Sequence, residues 1–407
     1  MMRTIVMALC AAMMASPPAS GREARAPGPF CAGLHKAVTP LARGAEAVFI
    51  RSYEPGTNEV SLPSGIATTA FVYDNALAVI ALIACGNLAD AKPIGNALSR
   101  AARQDRSFDD GRIRNAYRAG AVGQGAPNLP GWWDAQAKIW GEDAAQDGTS
   151  TGNVAWAALA LLTMYEATQD PQYLSDSRRL VDWIIAATAS GDGFRGGFHG
   201  YDPQQVKLTW MSTEHNVDVF AAAHWLFRLT GERKYDEASG QARKLLDRAF
   251  RGDHFLLGTK PDGSPADEGL LALDVQLWPW MAIPDSPKAW KASLGFAKDR
   301  LGVDGGFDFN GDRDGVWVEG TAQAALAYRI SGNAKESDRL LAGLNADRTP
   351  SGLLNATRAA RLTTGLSIDP TDTVPDFFYY RRPHLGATAW AVLAETGWNP
   401  FNGTRIP

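Results

Sequence analysis

Two kinds of helical segment alternate along the chain. The first is a run of about a dozen mostly apolar residues, entered from a polar or Gly-containing turn with an acidic, amide or His residue and ending near Gly. ALAVIALIAC follows Asp74 and Asn75, VAWAALALLTMY follows Asn153, and VDVFAAAHWLFRLTG follows Glu214, His215 and Asn216. LWPWMAI follows Asp274 to Gln276, AQAALAYRISG follows Glu319 to Thr321, and AWAVLAETG follows His384 to Thr388. Between them lie segments with a single apolar stripe. In PQYLSDSRRLVDWIIAAT the residues Tyr173, Leu174, Leu180, Val181 and Ile184 share one face, with Asp176, Arg178 and Arg179 elsewhere. ADAKPIGNALSRAARQ, KYDEASGQARKLLDRAF, SPKAWKASLGFAKDR and AKESDRLLAGLNA behave similarly.

A helix apolar on all sides is buried, and one with a single stripe lies outside. The pattern therefore predicts six inner helices ringed by outer ones, Leu34 to Arg51 supplying the outer helix before the first inner one. This is an all-α fold, a single-domain (α/α)6 toroid over residues 34–401, preceded by a linker at 21–33. Residues rich in Ala, interrupted by 41 Gly and 23 Pro, fit helices that stop often and do not fit β-sandwich strands.

The alternating plan, with TEHNVDVFAAAHWLFRLTG from Thr213, VWVEGTAQAALAY from Val316 and HLGATAWAVLAETGWNPF from His384, resembles the six-hairpin glycosidase superfamily over essentially the whole mature chain. The resemblance implies a carbohydrate cleft at one mouth of the toroid, usually with hydrolysis by paired carboxylates.

Charge narrows the partners. With 44 acidic against 40 basic residues, a net charge of -4 gives no electrostatic basis for nucleic-acid binding. Residues 1–20, MMRTIVMALCAAMMASPPAS, have one early Arg, an apolar stretch and then small residues and prolines, the pattern of an export signal, so a periplasmic or secreted protein is expected. After it, no apolar run approaches the roughly 18 residues a membrane span needs. Cys31 and Cys85 remain in the mature chain. If the outer helix begins at the closed end and the first inner helix runs from Asp74 at the mouth to Cys85, the two cysteines share a face and form a disulfide.

Because all inner helices run the same way, Asp74, Asn153, Glu214, His215, Asp274, Glu319 and His384 gather at one end. Acids also cap exposed amides at helix starts, but Ser, Thr or Asn would serve equally, and four carboxylates at six converging positions ask for more. Glycoside hydrolysis needs one carboxylic acid to protonate the leaving oxygen and a second group to activate water. Glu214, directly before an apolar helix, is the expected acid, with Asp218 four residues on along the same face. Glu319, Asp274 and Asp74, in that order, are the expected bases. Tyr73, Trp132, Trp133, Trp140, Trp210, Trp278 and Trp317 fall in loops or first turns at the mouth, where they would stack on pyranose faces. Trp156, Trp183, Trp225 and Trp390 lie inside helices and read as core. His215, His384 and Tyr73 open a second reading, a polysaccharide lyase or sugar epimerase that abstracts a proton from carbon. A third is a non-catalytic glycan-binding protein of an exopolysaccharide system, which would keep the aromatic mouth and tolerate loss of the carboxylates.

No cofactor is expected. The segment DFNGDRDGVWVE approximates an oxygen-rich calcium loop through Asp308, Asn310, Asp312 and Asp314, with Arg313 where the sharp-turn Gly belongs and Glu319 in the twelfth place. No zinc-ligand spacing and no P-loop occurs.

Overall fold

The computed structural model describes residues 28–55, 60–369 and 374–406. The expected export signal lies outside them. Among the described residues, thirteen α-helices account for the architecture. α1 (Pro29–Ala42) is followed by the pair α2 (Val72–Ala84) and α3 (Leu88–Arg103), then a short α4 (Ala144–Asp147). Next come α5 (Thr151–Thr168) with α6 (Pro171–Thr188), and α7 (Thr213–Thr230) with α8 (Arg233–Ala249). α9 (Leu273–Ala282) pairs with α10 (Ala292–Leu301) and α11 (Val318–Ile330) with α12 (Ala334–Leu344), and α13 (Leu385–Thr396) ends the series.

Helices α2, α5, α7, α9, α11 and α13 pack each against the next, and α13 returns to α2, so the inner ring closes. Their side chains are buried almost throughout: Val154 to Leu162 on α5 and Ala387 to Ala394 on α13 have no more than 1% exposure. Outer helices are held by caps in their first turns. The Asn87 and Asn333 side chains accept the Asp90 and Glu336 amides, and Asp170 accepts from Gln172 beside Pro171. Abrupt ends come from left-handed residues such as Gly231 (φ 70°) and Gly397 (φ 66°). Strands form only small antiparallel ladders in the connecting loops, the largest of three strands among the described residues.

The first outer helix is shifted from its expected place. It spans Pro29–Ala42, not Leu34 to Arg51, and so takes up part of the expected linker. Pro29 suits the first turn, and the Glu395 carboxylate of α13 accepts the Phe30 and Cys31 amides at 3.2 and 2.9 Å, capping α1 from another helix. Gly44 (φ 82°) stops continuation, and Val48 and Phe49 pair with Ala121 and Gly120. α1 packs beside α13 and α3. At the closed end Cys31 and Cys85 are joined, with Cα atoms 5.8 Å apart. No helix among the described residues is long and apolar enough to cross a membrane.

Candidate functional site

The six inner helices begin on one mouth, and each contributes a polar residue from its first turn or cap: Asp74, Asn153, Glu214, Asp274, Glu319 and His384. Helices α2, α13 and α11 are consecutive in the ring, and they bring Asp74, His384 and Glu319 within 4.8 Å of one another, all buried. A glycine permits it. A Cβ added at Gly386 would run into Asp74 Oδ1 and lie 3.0 Å from Glu319 Oε2. His384 caps α13, its Nδ1 accepting the Ala387 amide at 3.2 Å, which leaves Nε2 to face Asp74 Oδ2 at 3.3 Å. Burial alone would lower the His384 pKa, but the Asp74 and Glu319 charges beside it raise it overall.

Glu319 has 1% exposure. Its Oε1 accepts the Tyr73 hydroxyl at 2.8 Å, and that hydroxyl accepts Trp390 Nε1 at 2.8 Å. Oε2 has no hydrogen-bond partner among the described residues and stands 3.7 Å from His384 Nδ1. Burial pushes the Glu319 carboxyl up to about 8 against the lowering effect of His384. Glu319, ranked first as a base on sequence, thus has its carboxyl well above the usual carboxylate range. Asp274, 5% exposed, rises only to about 6, because its burial is offset by the Val275 amide donating to Oδ1 at 2.6 Å.

Glu214 is half-buried at the mouth, and burial of its carboxyl, with the charges of Asp274 and Glu319, raises it well above the usual carboxylate range. One turn deeper, Asp218 is fully buried, with neither oxygen hydrogen-bonded among the described residues, and burial raises it likewise. His215 lies beside it. A Cβ on Gly152 would stand 3.2 Å from Asp218 Oδ2 and would crowd the His215 ring, which also packs 5.6 Å from Trp210. Burial lowers the His215 pKa to about 4, so its imidazole is neutral.

The aromatic residues divide. Tyr73, Trp132 and Trp210 are half-buried at the mouth, and Trp133 and Trp140 are exposed on a hairpin of the rim. Trp278 and Trp317, expected there too, have 1% exposure. Trp278 points toward the ring axis, where with Trp156, Trp390 and Phe401 it plugs the toroid at centroid distances of 5.5 to 5.6 Å. Trp317 caps α11 and packs 4.8 Å from Phe309 and 5.4 Å from Tyr379. Trp156, Trp183, Trp225 and Trp390 are core.

Tyr53 and Tyr379 belong to the site and escaped sequence reading. The Tyr53 ring lies 4.4 Å from His384, and Tyr379 lies 6.1 Å from it. Burial raises both hydroxyls well above their usual range, with the Asp74 and Glu319 charges adding to it. Tyr379 sits in the run Phe377 to Arg382, and Tyr53 stands alone in a loop, neither within a periodic pattern.

At the loop of residues 308–314, Asp308, Asp312 and Asp314 lie within 4.8 Å of one another, and the Asn310 side chain accepts the Asp312 amide at 2.9 Å. Arg313 supplies the positive φ of 60° that a Gly would normally provide. Glu319, the expected twelfth ligand, is instead committed to Tyr73 and the His384 cluster.

No family model and no curated protein matches the sequence. Among solved structures, a glycosidase in complex with glucose superimposes with a TM-score of 0.60 at 12% identity, over 90% of this chain and 96% of that one. An alpha-amylase from Clostridium perfringens gives 0.61 at 9% identity over 94% of this chain and 100% of that one. Cellobiose 2-epimerase from Bacillus thermoamylovorans gives 0.60 at 11% identity over 90% and 98%. At such identities the likeness shows the fold, that of the six-hairpin glycosidase-like toroids.

Proposed function

We propose that this carbohydrate-active toroid is an exported glycoside hydrolase acting on a poly- or oligosaccharide with inversion, Glu214 donating the proton and Asp274 activating water. The observation that carries this reading is the separation of two neighbouring carboxyl groups by environment: Glu214 is held protonated while Asp274, at about 6, is ionised near neutral pH. Both are second residues of adjacent inner helices. Packed helices stand about 8–10 Å apart, which suits the roughly 6.5–9.5 Å that leaves room for water in an inverting site. Glu214 gives its proton to the glycosidic oxygen as that bond breaks. Asp274 takes a proton from the water that attacks the anomeric carbon from the opposite face, and exchange with solvent restores both groups. Asp74, His384, Tyr73 and Glu319 form the wall that positions sugar hydroxyls. Screening a polysaccharide panel for new reducing ends tests it, and Glu214→Gln must slow whatever release is found by at least about 10².

A second reading rests on the histidines. His215 on α7 and His384 on α13 stand three helices apart, on opposite sides of the ring, one neutral and the other with a raised pKa. That arrangement suits proton removal from one face of a sugar carbon and return to the other, as in an epimerase. Incubation in heavy water separates the two: an epimerase places deuterium on a sugar carbon without releasing reducing ends, and a hydrolase does the reverse.

A further inference from the structure

The rim carries exposed aromatic surface remote from the acids. Trp132–Asp134 pairs with Ile139–Gly141 in a hairpin whose register sets Trp133 directly opposite Trp140, so both indoles stand on one face. They are 60% and 45% exposed. Exposed Trp at this density asks for a partner. Trp132, on the other face, folds back over Gly141 and Gly65 and anchors the hairpin, and the Thr68 hydroxyl donates to Gly131 O at 3.2 Å. Thr68 is six residues before Asp74, so the hairpin base lies within about 20 Å of the acids along the rim, a reach of a few sugar units. Tyr201, 53% exposed on the neighbouring hairpin, donates to Glu142 O at 3.3 Å and extends the surface.

The charges there are unequal in availability. The Arg118 guanidinium lies 4.7 Å from the Trp140 ring centre, exposed, with no carboxylate paired to it among the described residues. Lys138 is exposed at the turn, also without an ion pair. The nearby acids are engaged: Asp134 accepts the Gln136 and Ala137 amides, and Glu142 and Asp202 are both held by Arg106. Flat indole faces bordered by free cations complement a sugar ring that bears a carboxylate.

We infer that Trp133, Trp140 and Arg118 form a glycan-binding platform outside the catalytic mouth that holds an anionic, uronate-containing segment of the polymer. The inference rests on the carbohydrate reading above, but its test needs no turnover. Binding of an oligogalacturonide and of a cello-oligosaccharide of equal length is measured by calorimetry on the full chain carrying Glu214→Gln. The expected result is preference for the acidic ligand, weakening as salt is raised. Trp133→Ala and Trp140→Ala should each lower affinity about tenfold, Arg118→Gln should erase the preference, and Leu41→Ala, at an exposed position on α1, should change nothing. Circular dichroism of each variant confirms folding. Equal affinity for both ligands, binding untouched by the Trp changes, or self-association dispersed by Trp133→Ala would each overturn the platform. Absence of hydrolysis with this binding intact would remove only the catalytic reading.

Discussion

At the scale of single residues, the acid and base assignments make separable predictions. Glu214→Gln keeps size and hydrogen bonding while removing the acid, so turnover should fall by roughly 10²–10⁴. An aryl glycoside with a good leaving group should lose far less, because it needs less protonation. Asp274→Asn should slow both substrates alike. In the unmodified protein the rate should climb as pH rises through about 6, where Asp274 ionises, and persist to higher pH than an ordinary carboxylic acid would allow, since Glu214 is raised. A pH profile of kcat/KM without a limb near 6 would remove Asp274 from the base role. Gly386 is the most exacting position: Gly386→Ala drives a methyl into Asp74 and Glu319, and activity should drop at least as much as thermal stability allows one to measure. A variant with full activity would show that the Asp74, His384 and Glu319 cluster is dispensable.

Among elements, the N-terminal helix was legible as an outer helix but not in its bounds. Apolar spacing reads equally well through Leu34 and Val48, whereas the true start is set by the Glu395 carboxylate, distant in sequence. The disulfide reinforces that docking. Joining Cys31 to Cys85 closes a loop with a separation of 54 residues, which on the chain-entropy account stabilises by about 4 kcal/mol. Reduction, or Cys31→Ser with Cys85→Ser, should therefore lower the melting temperature by several degrees, and the unfolded, unreduced protein should show no titratable thiol at these positions. A full complement of free thiols would contradict the pairing. The aromatic residues teach the same lesson at helix scale: Trp278 in the second turn of α9 and Trp317 at the cap of α11 are taken up by the interior, whereas Trp210, two residues before the cap of α7, stays half-buried at the mouth.

Over the whole molecule, burial of carboxyl groups sets a pH dependence of stability. Protons are held to about pH 8 on Glu319, about 7 on Asp147 and Asp308, and about 6 on Asp274. In the unfolded chain such groups ionise near 4. Between those limits the folded chain binds more protons than the unfolded one, so its stability falls as pH rises. His384, raised by its acid neighbours, adds stability at low pH that is likewise lost on the way up. The melting temperature should decline from pH 5 to 8, less steeply in Glu319→Gln, and a rise over this interval would show that these groups are not buried as described. Below that range the effect reverses, because arginine holds Asp202 and Glu142 below their usual values. The sequence by itself determined the ring: alternating all-round and one-sided apolar patterns leave few ways to bury that surface, and uniform helix direction then gathers Asp74, Glu214, Asp274, Glu319 and His384 at one mouth. What only the tertiary structure decided is the chemistry of each. Whether a carboxyl is solvated, paired or sealed depends on side chains from other helices, Tyr73 on Glu319, His384 on Asp74 and the bare Gly386 between them, and no local pattern encodes contacts between residues hundreds of positions apart.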